Sequence, residues 1–307
     1  MSTGGGSRAI VAAFLANMGI AVAKFIGFIV TGSSSMLAES IHSVADSGNQ
    51  ALLVLGNKRA ARERDAEHPF GHGRERYFWA FVVALVLFTL GAVFSLYEGI
   101  HKLQHPELLE SAQWAIGILL VAIALEAFSF RTAIHESNLI RGRQGWATFI
   151  RRSRAPELPV VLLEDFGALI GLTLALLGVG LTVLTDDPMW DAIGTICIGT
   201  LLAVIAVVLA VEMKSLLMGE TATVEDEAKI LDAIGSAPAV VGVIYVRTQH
   251  LGPDDILVGA KLDLDHALSV AGIADAIDDV ERRIREAVPT ATTIFIEPDI
   301  TRPQPAP

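Results

Sequence analysis

Two apolar stretches of the chain carry ionisable side chains at spacings that suit metal chemistry: Leu37 to Gln50 holds Glu39, His42 and Asp46, and Val160 to Gly171 holds Glu164 and Asp165. His42 and Asp46 are four apart, so a helix presents both on one face about one turn from each other. An imidazole with two or three carboxylates and no thiolate suits a borderline divalent cation, Zn²⁺ first, with Mn²⁺, Fe²⁺ and Co²⁺ also compatible. Copper(I) calls for sulfur. The single cysteine, Cys197, lies in an apolar run and reads as a small core residue. The competing reading is an interhelical cluster of ion pairs and hydrogen bonds without metal.

The elements that position these groups are membrane spans, where ionisable side chains are costly and mark a pathway or a partner. Of 307 residues, 52% are apolar and 19% charged, which argues against a water-soluble globule. The net charge of -11 argues against a nucleic-acid binder. Stretches of roughly 20 apolar residues suit a bilayer core. They run from Ile10 to Val30, Met36 to Gly56, Tyr77 to Ile100, Trp114 to Ile134, Leu158 to Val183 and Trp190 to Val211. The first is too long for a removable signal peptide and no A-x-A pattern follows it.

Lys58, Arg59, Arg62, Arg64, Arg74 and Arg76 crowd one loop, and Arg131, Arg141, Arg143, Arg151, Arg152 and Arg154 another. The loops on the other side hold Lys102 alone, so both termini are expected in the cytoplasm of a bacterial-type cell, the chain spanning its inner membrane. Asp46 then lies about 15 Å from one face and Asp165 about 13 to 14 Å from the other, so the two antiparallel spans can meet near the midplane. Gly167 and Gly171 let a neighbouring helix come close.

After Gly219 the pattern changes. Val224 to Ser236 and Leu268 to Ala287 read as amphipathic helices, and Val240 to Thr248, Ile256 to Leu264 and Thr292 to Ile296 as strands. Gly252-Pro253-Asp254-Asp255 marks a turn, and Pro289 closes the second helix. The expected fold is an α-helical membrane protein of six transmembrane helices (1–217), a small cytoplasmic α-β-β-α-β, ferredoxin-like domain (218–300) and a disordered tail (301–307).

Lys24 in the first span is expected to pair with Glu39 or Glu98, since a lone ammonium in hydrocarbon is costly. Glu126 and Asn17 are read as structural in the same way. His101, His105, Glu107 and Glu110 form a polar external loop, and Arg141 to Arg154, with Trp146 and Phe149, an interfacial segment on anionic lipid. His250 and His266 are expected to be solvated strand-end histidines.

The segment LAESIHSVADSGNQ (Leu37 to Gln50), the loop HPFGHGRERYF (His68 to Phe78), and six spans before an α-β-β-α-β domain together resemble the cation diffusion facilitator family of divalent-metal/proton antiporters. The resemblance covers about Ile10 to Pro298. The doublet in VVLLEDFGALIG looks most like the branch that contains the mitochondrial zinc transporter nine.

The resemblance implies a homodimer joined through the C-terminal domain and a transport site between spans two and five, with no prosthetic group. His42 and Asp46 match the span-two ligands and Asp165 the distal span-five acid. Where most members place His or Asp four residues earlier, this chain has Val161, leaving Glu164 or water as fourth ligand. Adjacent helical positions point about 100° apart, so both acids binding at once requires local unwinding. Asp65, His68 and His72 match a second cation site in the loop, with Glu67 as a spare ligand; the alternative is that these residues simply order the loop. Family metal positions in the tail fall on Ile244, Lys261, Phe295 and Glu297, where Lys261 opposite Glu297 is expected to replace the metal charge.

The function that follows is export of cytosolic divalent metal in exchange for protons, because metal binding needs neutral imidazole and ionised carboxylates. Imidazole titrates near physiological pH, which makes His42 the expected coupling residue. One rival is an intramembrane metallohydrolase, but the chain lacks H-E-x-x-H and a nucleophile elbow, so no enzyme is expected. The other is a membrane metal sensor or scaffold that does not transport.

Overall fold

The computed structural model describes residues 18–106, 109 and 112–302. Ile10 to Asn17, Glu107, Glu110 and all of the Pro-rich tail after Arg302 lie outside the described residues. The chain divides into two compact units: the chain up to Gly56 with Phe78–Met213, and Asn57–Tyr77 with the chain from Lys214. The basic loop within Asn57–Tyr77 therefore sorts with the C-terminal unit.

The first unit is a helical membrane domain. α1 (Met18–Thr31) and α2 (Ser34–Ala60) are joined across Gly32, whose φ of +65° a side chain would resist. α3 (Glu75–Val86), a π-helical stretch (Leu87–Val93) and α4 (Phe94–Gln104) form one continuous helix. α5 (Ala112–Arg141), the short α6 (Trp146–Arg152), α7 (Glu157–Thr185) and α8 (Met189–Met218) follow. Four of these helices are long and apolar enough to cross a membrane: Glu75–Gln104, Ala112–Arg141, Glu157–Thr185 and Met189–Met218. α2 has the length, with 27 residues, but a polar stripe lowers its hydropathy.

Small residues let these helices approach closely without a hydrophobic force between them. A Cβ on Gly199 would lie 2.8 Å from the backbone N of Leu96, and one on Gly178 3.0 Å from the carbonyl oxygen of Trp190. Cys197 sits on the exposed side of α8, not in the core as its apolar neighbours suggested, because apolar surface on a spanning helix also faces lipid.

A buried polar knot ties the start of α2 to α8. The Asp191 carboxylate accepts from Ser33 Oγ (2.9 Å), the Ser34 backbone N–H (2.8 Å) and Ser34 Oγ (3.0 Å). Ser35 Oγ lies 3.0 Å from Thr195 Oγ1, and Lys102 Nζ donates to the carbonyl of Gly32 at 2.8 Å. An acid at a helix N-terminus satisfies orphan N–H groups and favours the dipole.

In the second unit, α9 (Val224–Gly235), β1 (Val240–Gly252), β2 (Asp255–Leu264), α10 (Val270–Ala287) and β3 (Thr293–Asp299) follow in that order. β1 and β2 form an antiparallel hairpin, and β3 pairs parallel to β2, which requires the α10 crossover. Thr223 caps α9 by accepting from the Asp226 N–H, and Ser269 caps α10 through Gly272. Ile230, Ile234, Val258, Leu262, Val280 and Ile284 form the buried core. Burial of each such side chain contributes about 1.5–3 kcal/mol.

Candidate metal centre

α2 presents Glu39, His42, Asp46 and Asn49 at steps of three, four and three residues, a polar stripe on one helical face. His42 is only 1% exposed, and its Nδ1 lies 3.6 Å from Asp46 Oδ1. Among the described residues neither imidazole nitrogen has a hydrogen-bond partner, nor does Asp46 Oδ1. Buried polar atoms are almost always satisfied, so three orphaned ones in adjacent turns mark a place where something else binds.

α7 brings its two acids to different neighbours. Glu164 is buried and accepts from Asn49 Nδ2 of α2 at 2.7 Å. Asp165 is half-buried and accepts from Ser129 Oγ of α5 at 2.8 Å. The two thus diverge as adjacent positions on a regular helix must, and α7 runs without the unwinding that joint binding requires. His42, Asp46, Glu164 and Asp165 do not draw their ligand atoms into one tight shell. Among the described residues the only set of three or more within 4.8 Å is Asp65, His68 and His72.

Gly171 faces α2, where a Cβ would lie 2.5 Å from Glu39 Oε1, whereas Gly167 faces Ile205 of α8. The glycine pair thus accommodates two neighbours. Opposite them, a Cβ on Gly91 in the π-helical stretch would lie 3.9 Å from His42 Nδ1. Single π-helical turns recur at functional sites. Lys24 Nζ lies 3.1 Å from Glu39 Oε2, choosing Glu39 over Glu98, and donates to Ser43 Oγ at 2.7 Å.

The loop triad is compact and outside the apolar helices. Asp65 Oδ1 accepts from the backbone N–H of His68 (2.6 Å) and lies 3.2 Å from His68 Nδ1, while Oδ2 lies 3.2 Å from His72 Nε2. The His68 N–H, helped by the two rings, holds the Asp65 carboxyl below the usual carboxylate range. The same triad thus orders the loop and sets three ligands, one carboxylate and two imidazoles, together. Arg64 and Arg76 tie this loop to the β1–β2 turn through Asp255 (3.3 Å) and Asp254 (2.7 Å).

On the tail sheet, Lys261 pairs with Tyr245 of β1 and Glu297 of β3 in register. Its Nζ lies 3.0 Å from Glu297 Oε1 and 2.8 Å from Asp299 Oδ2. Asp299 and Glu297 hold the ammonium above its ordinary range, and Lys261 holds Asp299 below its own. Around this ion trio Ile244 and Phe295 are exposed. His250 is buried, not solvated as expected: its Nδ1 lies 3.1 Å from the Gly252 carbonyl, because β1 runs on to Gly252 and covers it. His266 is exposed and bonds Asp263 at 2.9 Å.

Asn49, Ser129, Gly91 and Asp191 were not singled out by sequence reasoning. Asn49 sits seven residues after His42, a spacing that signals the same helix face. Asp191 had a signal in the run Ser33-Ser34-Ser35, which needs a partner in an apolar setting. Nothing in the sequence pattern marks Gly91 as part of a π-helical stretch.

Residues 10–218 match the cation efflux transmembrane domain, and residues 222–299 the cytoplasmic domain of cation efflux proteins. The proton-coupled zinc antiporter SLC30A9, mitochondrial, of Mus musculus is 35% identical over 246 residues, covering 79% of this chain and 43% of the relative. Metal tolerance protein C4 of Arabidopsis thaliana is 29% identical over 268 residues, covering 86% and 58%. Magnetosome protein MamM of Paramagnetospirillum magneticum is 26% identical over 305 residues, covering 90% and 87%. The chain spans under half the length of the SLC30A9 relatives it matches. The two matched domains are those of cation efflux proteins and the mouse relative is an antiporter, not an enzyme; the chain belongs to the cation diffusion facilitator family.

Proposed function

We propose that this chain carries a divalent cation, Zn²⁺ before Mn²⁺, Fe²⁺ or Co²⁺, across a bilayer in exchange for protons. The observation that carries the reading is the buried His42 and Asp46 pair, whose ring nitrogens and Oδ1 lack hydrogen-bond partners among the described residues. Neutral imidazole and ionised carboxylate bind zinc, and protonation of either releases it, so metal and protons exclude each other on the same atoms. Asp165 completes the site when α7 and α2 move together, with water or Glu164, which Asn49 holds at α2, as the fourth ligand. α1 and α2 join the four long apolar helices as the remaining spans, with both termini on the side of the basic loops, cytoplasmic in a bacterial-type inner membrane. Similarity to the mouse relative, a proton-coupled zinc antiporter, supports the cargo and the exchange.

The Asp65, His68 and His72 triad serves as a second cation site. The exposed apolar face of the tail sheet joins two copies of the chain. There the Lys261 trio supplies the charge balance, so the tails close without metal; tight stoichiometric zinc binding to the isolated tail removes this part of the reading. The decisive test is flux into proteoliposomes holding a zinc dye and a pH dye. Zinc entry with matched proton exit is expected, and its absence in the wild type overturns the reading.

A further inference from the structure

We infer that Glu39 is a second stop for the moving cation, and that Lys24 is a tethered cation that keeps the ion from staying there. The inference rests on the reading that His42 and Asp46 hold the transported ion. Glu39 and Lys24 are both fully buried in the membrane domain, and neither is part of the proposed ligand set. A buried ion pair costs desolvation of both partners, so such a pair inside lipid calls for a function.

The geometry leaves the pair half made. Lys24 Nζ lies 3.1 Å from Glu39 Oε2 and 2.7 Å from Ser43 Oγ. The other carboxylate oxygen, Oε1, is buried and has no hydrogen-bond partner among the described residues. It points at Gly171 of α7, where a Cβ would lie only 2.5 Å away, so the absence of a side chain on α7 is what gives this oxygen its space. A carboxylate with one unengaged oxygen and one ammonium contact offers a divalent cation an oxygen donor.

Position completes the argument. Glu39 stands three residues before His42 on the same face of α2, about 4.5 Å along the axis, so an ion leaving His42 toward the start of α2 meets Glu39 next. The ammonium weakens a second cation at Glu39 through like charge, which prevents a trap. Ser43, one residue after His42, gives Nζ a polar contact that persists while the ion occupies Glu39. The site is thus for a divalent cation in transit, with affinity set by a lysine on another helix.

The test uses the full chain in detergent for zinc-binding stoichiometry and in liposomes for flux. Glu39→Gln is expected to slow flux at saturating zinc about tenfold, with half-saturation unchanged and the zinc bound at His42 retained. Lys24→Met is expected to bind one more zinc per protomer than the wild type and to move it more slowly, because the ion now rests on Glu39. The double variant K24M/E39Q, neutral at both positions and so expected to fold, should lose the extra zinc and match the flux of E39Q. Wild-type flux in the double variant, or no extra zinc in K24M, overturns the inference and leaves a static ion pair. An E39Q variant that loses zinc affinity outright also overturns it, by placing Glu39 in the first site. Absence of flux and of Asp46-dependent binding in the wild type instead defeats the transport reading beneath it.

Discussion

The polar stripe of α2 and the charged trio of the tail sheet solve opposite problems with similar side chains. On α2, Glu39 Oε1, both nitrogens of His42, Asp46 Oδ1 and Asn49 Oδ1 are buried with no hydrogen-bond partner among the described residues. On the sheet, Lys261 reaches Glu297 and Asp299 at once, and Tyr245 OH donates to Glu297 at 3.4 Å. Incomplete satisfaction is expensive, and a bound ion is one way to relieve it. On the reading proposed above, cation affinity lies in the membrane stripe and the loop triad, while the acids of the tail sheet face Lys261.

The largest effect expected from this contrast is in Asp46→Ala, which removes a charged ligand from the unsatisfied stripe. Flux should fall by more than the roughly 10–100-fold typical of losing a supporting contact, read as dye-reported zinc entry. Flux at the wild-type rate breaks the comparison at its root. Next, Asn49→Ala frees Glu164 from the hydrogen bond that aims it at α2 and is expected to weaken zinc affinity about tenfold, measured as half-saturation of flux.

The loop triad sharpens the comparison through pH. His72→Ala should remove one bound zinc per protomer by equilibrium binding while flux falls less than in Asn49→Ala. Because the Asp65 carboxyl is held below its ordinary range, its contribution to loop order is present above the unfolded value of about 3.9 and is lost only as pH falls through the lower folded value. Zinc lost from the loop between pH 7 and 5 is therefore not lost by protonation of Asp65. The smallest effect belongs to Lys261→Ala, expected to lower the melting temperature of the isolated tail by less than about 5 °C, and less again at high salt. The raised Lys261 value gives stability that is full below the unfolded lysine value and lost only as pH rises through the higher folded one. The lowered Asp299 value gives stability lost only in acid, so the contribution of this ion trio to the tail's melting point should be flat from about pH 5 to 9.

What the sequence made legible follows from which forces act locally. Helix and strand positions in the tail were readable because amphipathic periods of 3.6 and 2 record which side meets the Ile230, Val280 and Ile284 core. The four helices long and apolar enough to cross a membrane were readable because lipid requires long apolar runs, and α2, with its polar stripe, is not among them on hydropathy. The α2 stripe was legible from spacing, and so was the pairing of Lys24 with an acid. Long-range choices were not: that Asp165 turns to Ser129, that Arg64 and Arg76 clamp the β1–β2 turn, and that His250 is covered depend on tertiary neighbours. The arginines of the basic loop were read only for their charge relative to the bilayer, and they also hold acids in their own unit.

The knot at Asp191 bears on how α2 can travel. The carboxylate grips the first turn of α2 by two hydroxyls and a peptide nitrogen, from a helix whose Gly194 and Gly199 lie close against neighbouring helices. Axial sliding at that end would break several bonds together, whereas rolling or flexing farther down breaks few. The mooring makes α2 a lever with a pinned end, so the displacement felt at position 42 and beyond grows with distance from Ser34.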